Sequence, residues 1–205
     1  MNHLLYVSHS KRGEFYYNDP SARYRCVFPA EEHIANGEQA HAIHFSQINK
    51  VELNNYKKII FHRPQFSLKL WFVVKFAKRK NIELWVDFDD LLFCPDLSDT
   101  SAAVMSGKMP ASLAKKHANK YLKALNLFNN YQVSTDELAD KLVNQLSIQK
   151  IDSKNINSEK PNVKVSYNRV PERWARQAEI IPAEERLEKK IIRYLPGTSH
   201  HKHDF

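Results

Sequence analysis

A chain of 205 residues, 42% hydrophobic and 26% charged, carries enough apolar material for one good-sized core and part of a second. No apolar run reaches the length of a membrane span, because Leu70 to Ala77 is broken by Lys75 and followed by Lys78, Arg79 and Lys80. The net charge of +8 calls for an anionic neighbour, whether nucleic acid, a phosphorylated substrate or an acidic membrane surface.

His3 to Ser8 reads as a short apolar strand, followed by a long polar loop from Lys11 to Arg25 that holds Tyr16, Tyr17, Arg23, Tyr24 and Arg25. Aromatic and basic residues interleaved in this way suit a stacked sugar or base, and equally a lid packed over a core. Pro29 to Asn36 is expected to be a helix, with Pro29 in its first turn and Gly37 as its stop. Gln39 to Ser46 and Lys57 to His62 are expected strands, the second running into Arg63-Pro64. From Ser67 to Lys80 the apolar residues Leu68, Leu70, Trp71, Val74 and Ala77 recur at helical spacing behind a serine cap.

Next comes Ile82 to Phe93, an apolar strand pattern that ends in Asp87, Asp89 and Asp90. The stretch from Leu92 to Pro110 is irregular, Ala111 to Asn129 is a helix with one basic side, and Tyr131 to Ser134 is a short strand. Thr135 and Asp136 open a helix through Leu146, Ser147 to Asn162 is a lysine-rich polar loop, and Val163 to Tyr167 is a strand ending in Asn168-Arg169. Ala183 to Glu188 and Lys190 to Leu195 complete the pattern as a short helix and a last strand.

Strands alternating with helices imply parallel pairing through right-handed crossovers, hence an α/β, Rossmann-like parallel sheet with helices on both faces. Five sets of polar residues directly follow strands: His9 and Ser10, His62 and Arg63, the three acids, Ser134 and Thr135, and Asn168 and Arg169. In one parallel sheet such positions converge on the carboxyl rim, where ligands bind. Each also has an ordinary explanation. Ser134 and Thr135 are good helix caps, Asn168 suits a turn, one of the acids can cap the next helix, and a lone histidine is more often structural than catalytic.

Several sites are absent from the sequence. Four glycines form neither a dinucleotide nor a P-loop pattern, and there is no Gly-x-Ser-x-Gly elbow. Asp87-Phe88-Asp89 and the tail histidines His200, His201 and His203 are weak metal signals, and no metal is expected. Cys26 and Cys94 make no disulfide framework, and Met1 to Tyr6 lacks the pattern of a signal peptide, so a reduced, cytoplasmic protein is expected.

Ser21-Ala22-Arg23-Tyr24-Arg25, then Pro29-Ala30-Glu31 and Gly37, resemble the opening of bacterial glycosyltransferases of the GT-B fold. Arg63-Pro64, the run from Asp87 to Phe93, Val133-Ser134-Thr135 with Glu137-Leu138-Ala139, and Tyr167-Asn168 appear in the order found in those enzymes. Tyr194-Leu195-Pro196-Gly197-Thr198 with His201, Asp204 and Phe205 is similar to the first strand and glycine loop of their donor-binding domain. The resemblance thus covers nearly the whole chain. It implies residues 1–188 as the acceptor-side domain and residues 189–205 as the start of a donor domain, with little activity from the chain alone.

The activity implied is transfer of a sugar from a nucleotide-sugar donor, with no separate cofactor, to a polysaccharide, lipopolysaccharide or lipid-linked acceptor. By the same resemblance Asp87, Asp89 and Asp90 would be catalytic. Arg23, Tyr24, Arg25, His62, Arg63, Ser134, Thr135 and Asn168 would bind substrate. Gly197, Thr198 and His201 would hold the donor diphosphate. The basic helix around Lys115 to Lys123 would suit an enzyme at the cytoplasmic face of the plasma membrane, in peripheral contact with anionic lipid. Two other classes compete: a basic module for single-stranded nucleic acid, and a non-catalytic interaction domain. Three acids on the rim oppose phosphate, so no nucleic-acid partner is expected.

Overall fold

A computed structural model describes residues 3–153, 161–168 and 172. Six strands form one sheet, and every neighbouring pair is parallel. They are β1 (His3–Ser8), β2 (Gln39–His44), β3 (Lys58–His62), β4 (Glu83–Phe88), β5 (Asn130–Val133) and β6 (Asn162–Val165), in the order β2-β1-β3-β4-β5-β6. The chain leaves β1 toward β2, then returns past β1 to add β3 on its other side. Such a reversal opens a crevice at the carboxyl ends of the two strands that flank it. Here those ends are Ser8 and His62.

Helices cover both faces, as expected. One face carries Leu5, Val7, Ile59, Phe61, Leu84, Val86, Phe88, Tyr131 and Val133. It packs against three helices: α2 (Leu68–Arg79), α4 (Ala111–Leu125) and α5 (Asp136–Ser153). Between β4 and α4 lie a 3-10 helix (Pro95–Thr100) and a single α-helical turn, α3 (Ala102–Met105). The opposite face presents Tyr6, Ala40, Ile60 and Trp85 to Cys26 and Ala30, which belong to helix α1, residues 20–35. Helix α1 is continuous but uneven: it starts as Pro20–Ala22, widens through a π-turn at Arg23–Val27 and continues as Phe28–Ala35.

Local chemistry explains the helix starts. The Asp19 side chain accepts from Ser21 N at 3.1 Å and Pro20 presets the first φ, so α1 begins well before Pro29. Much of the expected loop from Lys11 to Arg25 is therefore helical. Ser67 caps α2 by accepting from Leu70 N at 3.1 Å. Leu70, Val74 and Ala77 then face the core, whereas Leu68, counted with them from the sequence, points to solvent from the first turn. Thr135 caps α5 in the same way, through Leu138 N at 3.2 Å. That helix runs on to Ser153, into a segment expected to be loop, because lysine and glutamine favour a helix as readily as they favour water. The expected helix at 183–188, the strand at 190–195 and the tail lie outside the described residues.

Phe61 lies at the centre of the larger core, fully buried, with its ring 5.6 Å from that of Phe128 and 6.4 Å from that of Phe45. Phe61→Ala should lower unfolding stability by about 3–5 kcal/mol, because a cavity replaces most of the ring. Urea titration should show an earlier midpoint with an unchanged slope.

Candidate functional site

Strand register assembles the site. Ser8 pairs with His44 on one side and His62 on the other, His62 pairs with Asp87, Asp87 with Gln132, and Gln132 with Lys164. Side chains alternate along each strand, so these six residues form one polar row across the sheet, on the face covered by α1. The row lies at the carboxyl ends of the strands.

The π-turn of α1 drops Arg25 onto this row. Its Nε donates to Asp87 Oδ2 at 2.8 Å and its Nη2 to Asp87 Oδ1, a fork-on-fork pair. Arg25 is 2% exposed and Asp87 0%. The remaining amino group, Nη1, donates to the Ser166 carbonyl and to Asn168 Oδ1 at 3.3 Å, which ties the end of β6 to β4.

Asp89, also nearly buried, accepts from three donors: the Ser21 hydroxyl, His62 Nε2 at 3.0 Å and Arg63 Nε at 2.5 Å. Burial would push its carboxyl up, but the bond and charge from His62 and the charge of Arg63 outweigh it and hold the acid well below the usual carboxylate range. His62 Nε2 also lies 3.1 Å from Ser21 Oγ, while its buried Nδ1 has no partner among the described residues.

Arg63 is the hinge of the outer layer. Its backbone adopts φ of 50°, the left-handed region, held by its N–H donating to the Asp87 carbonyl at 2.8 Å. From there its guanidinium reaches Asp89 and, through Nη2, Asp90. Asp90 is 58% exposed, so the three acids divide between an inner and an outer role. Asp87 and Asp89 are held as buried counter-ions, and Asp90 presents its carboxylate to solvent.

The other expected site residues separate. The Ser134 hydroxyl donates to the Asp89 carbonyl at 3.1 Å and so belongs to the rim, while Thr135 is occupied as the cap of α5. Arg23 lies over the Phe28 ring at 5.0 Å. Tyr24 instead lines a cavity of about 640 Å³ with Arg25, Phe28, Lys164 and Tyr167, whose lining takes in Gln132 and Lys164 of the row but neither Asp89 nor Asp90. Gly197, Thr198, His201 and Arg169 lie outside the described residues. Among the described residues no three His, Cys, Asp or Glu side chains gather as a metal site.

Two contributors are not obvious from the sequence. Asp19 accepts from the Ser10 hydroxyl at 2.6 Å, and Ser21 bridges to Asp89, so the loop after β1 is bonded to the ends of β3 and β4. The signal for both is Asp19-Pro20, a helix cap followed by its favoured first residue. His9 stacks on Phe45 at 4.2 Å, and burial, with His44, His62 and Lys69 nearby, pushes its imidazole down to about 3.

Fold and rim together define a Rossmann-like α/β domain with a charged polar site at its topological switch point. Against protein-family models, curated proteins and solved structures, the chain finds no match.

Arg25→Met alone should destabilise the protein by about 3–5 kcal/mol, since Asp87 is left charged and buried. Arg25→Met with Asp87→Leu should recover most of that loss in a double-mutant cycle. Stability should also fall with acid in two windows. His9 takes up a proton more readily when unfolded, so the loss begins below its ordinary value of 6.5 and continues to about 3. Asp89 stabilises fully above the ordinary aspartate value of 3.8 and progressively less below it, so Asp89→Asn should flatten the slope of stability against pH in that lower window.

Proposed function

We propose that this domain receives the acceptor in sugar transfer from a nucleotide-sugar donor, binding a glycan or lipid-linked glycan at the rim around Arg63 and Asp90. The reading rests on one observation: the rim gathers four carboxylates, Asp19, Asp87, Asp89 and Asp90, around two guanidiniums, Arg25 and Arg63. Such a site has more acceptors than cations. It favours hydroxyl-rich ligands, whose O–H groups donate to carboxylate, and disfavours polyphosphate.

On this reading Asp90 is the base, or the orienting acceptor, for an attacking sugar hydroxyl, because of Asp87, Asp89 and Asp90 its carboxylate is the one open to solvent. Arg63 fixes Asp90 in place. Asp87 and Asp89 act through the frame, as positioning residues. Donor contacts through Gly197, Thr198 and His201 remain part of the proposal, following the resemblance of the sequence to GT-B glycosyltransferases.

Saturation-transfer NMR with a panel of bacterial surface oligosaccharides tests this reading. At least one should bind, and Asp90→Asn should weaken it by about ten- to a hundredfold, the worth of one hydrogen bond to a charged acceptor. Asp87→Asn should lower the melting temperature instead. Absence of binding across the panel, or binding indifferent to Asp90→Asn, overturns the proposal.

A further inference from the structure

Helix α2 is amphipathic twice over. Leu70, Val74 and Ala77 point into the core, and directly opposite stand Leu68, Phe72 and Phe76 at i, i+4 and i+8. These three are 71%, 63% and 41% exposed. At helical spacing they form one apolar ridge, and among the described residues no other element packs on it. Large apolar side chains gathered in a line, rather than scattered, mark an interaction surface.

Charge borders the ridge on both flanks. At 100° per residue, Lys69 falls to one side of the line and Lys75 to the other. The Lys69 ammonium lies 5.1 Å from the centre of the Phe45 ring, Lys75 lies 4.5 Å from that of Trp71, and Lys80 lies 6.0 Å from that of Phe76. Each of these ammonium groups thus sits over an aromatic ring. Helix α4 adjoins this side: Phe66 N donates to the Lys120 carbonyl at 3.0 Å, and Lys123 sits 4.1 Å over the Phe66 ring. Helices α2 and α4 each carry four Lys or Arg residues and neither carries an Asp or Glu. Among the described residues, the exposed lysines of α4 meet a carboxylate only where Lys115 approaches Asp96 at 3.9 Å.

We infer that the α2–α4 face docks on an anionic lipid bilayer, with Leu68, Phe72 and Phe76 entering the headgroup–acyl boundary and the lysines meeting lipid phosphates. The chemistry of the ridge chooses this partner. A single-stranded nucleic acid stacks on aromatic faces in a basic groove, whereas this ridge begins with an aliphatic leucine, which offers no ring to stack on. Apolar side chains level with a cationic border match the layered chemistry of a bilayer surface. Among the described residues no helix is long and apolar enough to cross a membrane, so the contact is peripheral. The inference stands on this surface alone and does not require the sugar-transfer reading.

The test is co-sedimentation of the full chain with vesicles of phosphatidylcholine, alone or mixed with phosphatidylglycerol. Binding is expected only to the mixed vesicles and should weaken steeply with salt. Phe72→Ser with Phe76→Ser should reduce partitioning about tenfold or more, and Lys116→Glu with Lys120→Glu should abolish it. Both pairs are exposed, so unchanged melting curves separate lost docking from lost folding. Trp71, beside Phe72, should be quenched by brominated lipid in the wild type and not in the phenylalanine variant. Failure of the wild type to bind mixed vesicles overturns the inference, as does binding indifferent to the phenylalanine substitutions. Tighter binding to single-stranded DNA than to mixed vesicles, or a dimer dissolved by Phe72→Ser without vesicle binding, overturns it in favour of those partners.

Discussion

The Arg25–Asp87 pair is the constraint on which the rest of the rim depends. Two opposite charges, both shut away from water, are tolerable only while their forked geometry holds. Relative to well-packed apolar residues such a pair adds little net stability; its contribution is position. It fixes where α1 sits on the sheet, and through the Ser166 carbonyl and Asn168 it draws the end of β6 to the same point. By occupying Asp87, it also leaves Arg63 to serve Asp89 and Asp90.

The protein separates its charges in space. The net +8 does not sit at the strand ends, where carboxylates outnumber guanidiniums. Much of it lies on α2 and α4, two neighbouring helices without an acid. Reading a partner for the rim from total charge alone would therefore mislead. The rim and the helical face ask for different chemistry.

Much of the architecture is legible in the sequence because periodicity is local. Apolar runs of four to six residues separated by helical spacing yield the six described strands and their parallel pairing, and polar residues at strand ends mark the rim. Partners were not legible. Arg25 and Asp87 lie 62 positions apart, and nothing in either residue names the other. The polar row depends on strand alignment, which a single sequence does not state, although period-two alternation assigns each member its side. Asp19 and Ser21 were hidden inside a polar segment whose helix starts with only a two-residue cap signal. Leu68 shares its helical spacing with Leu70 and Val74 in the sequence, and only the packing of those two against the core shows that it stands on the solvent side.

The π-turn at Arg23–Val27 has a consequence for how this segment can change. A widened turn holds one residue more than the α-helical path would need, and it lies immediately before the longer part of α1. Deleting or adding one residue there would swing the following helix by about 100° about its axis and carry Cys26 and Ala30 away from Tyr6 and Trp85. Variation in this stretch is thus confined to swapping one side chain for another, while its residue count is locked by the sheet beneath it.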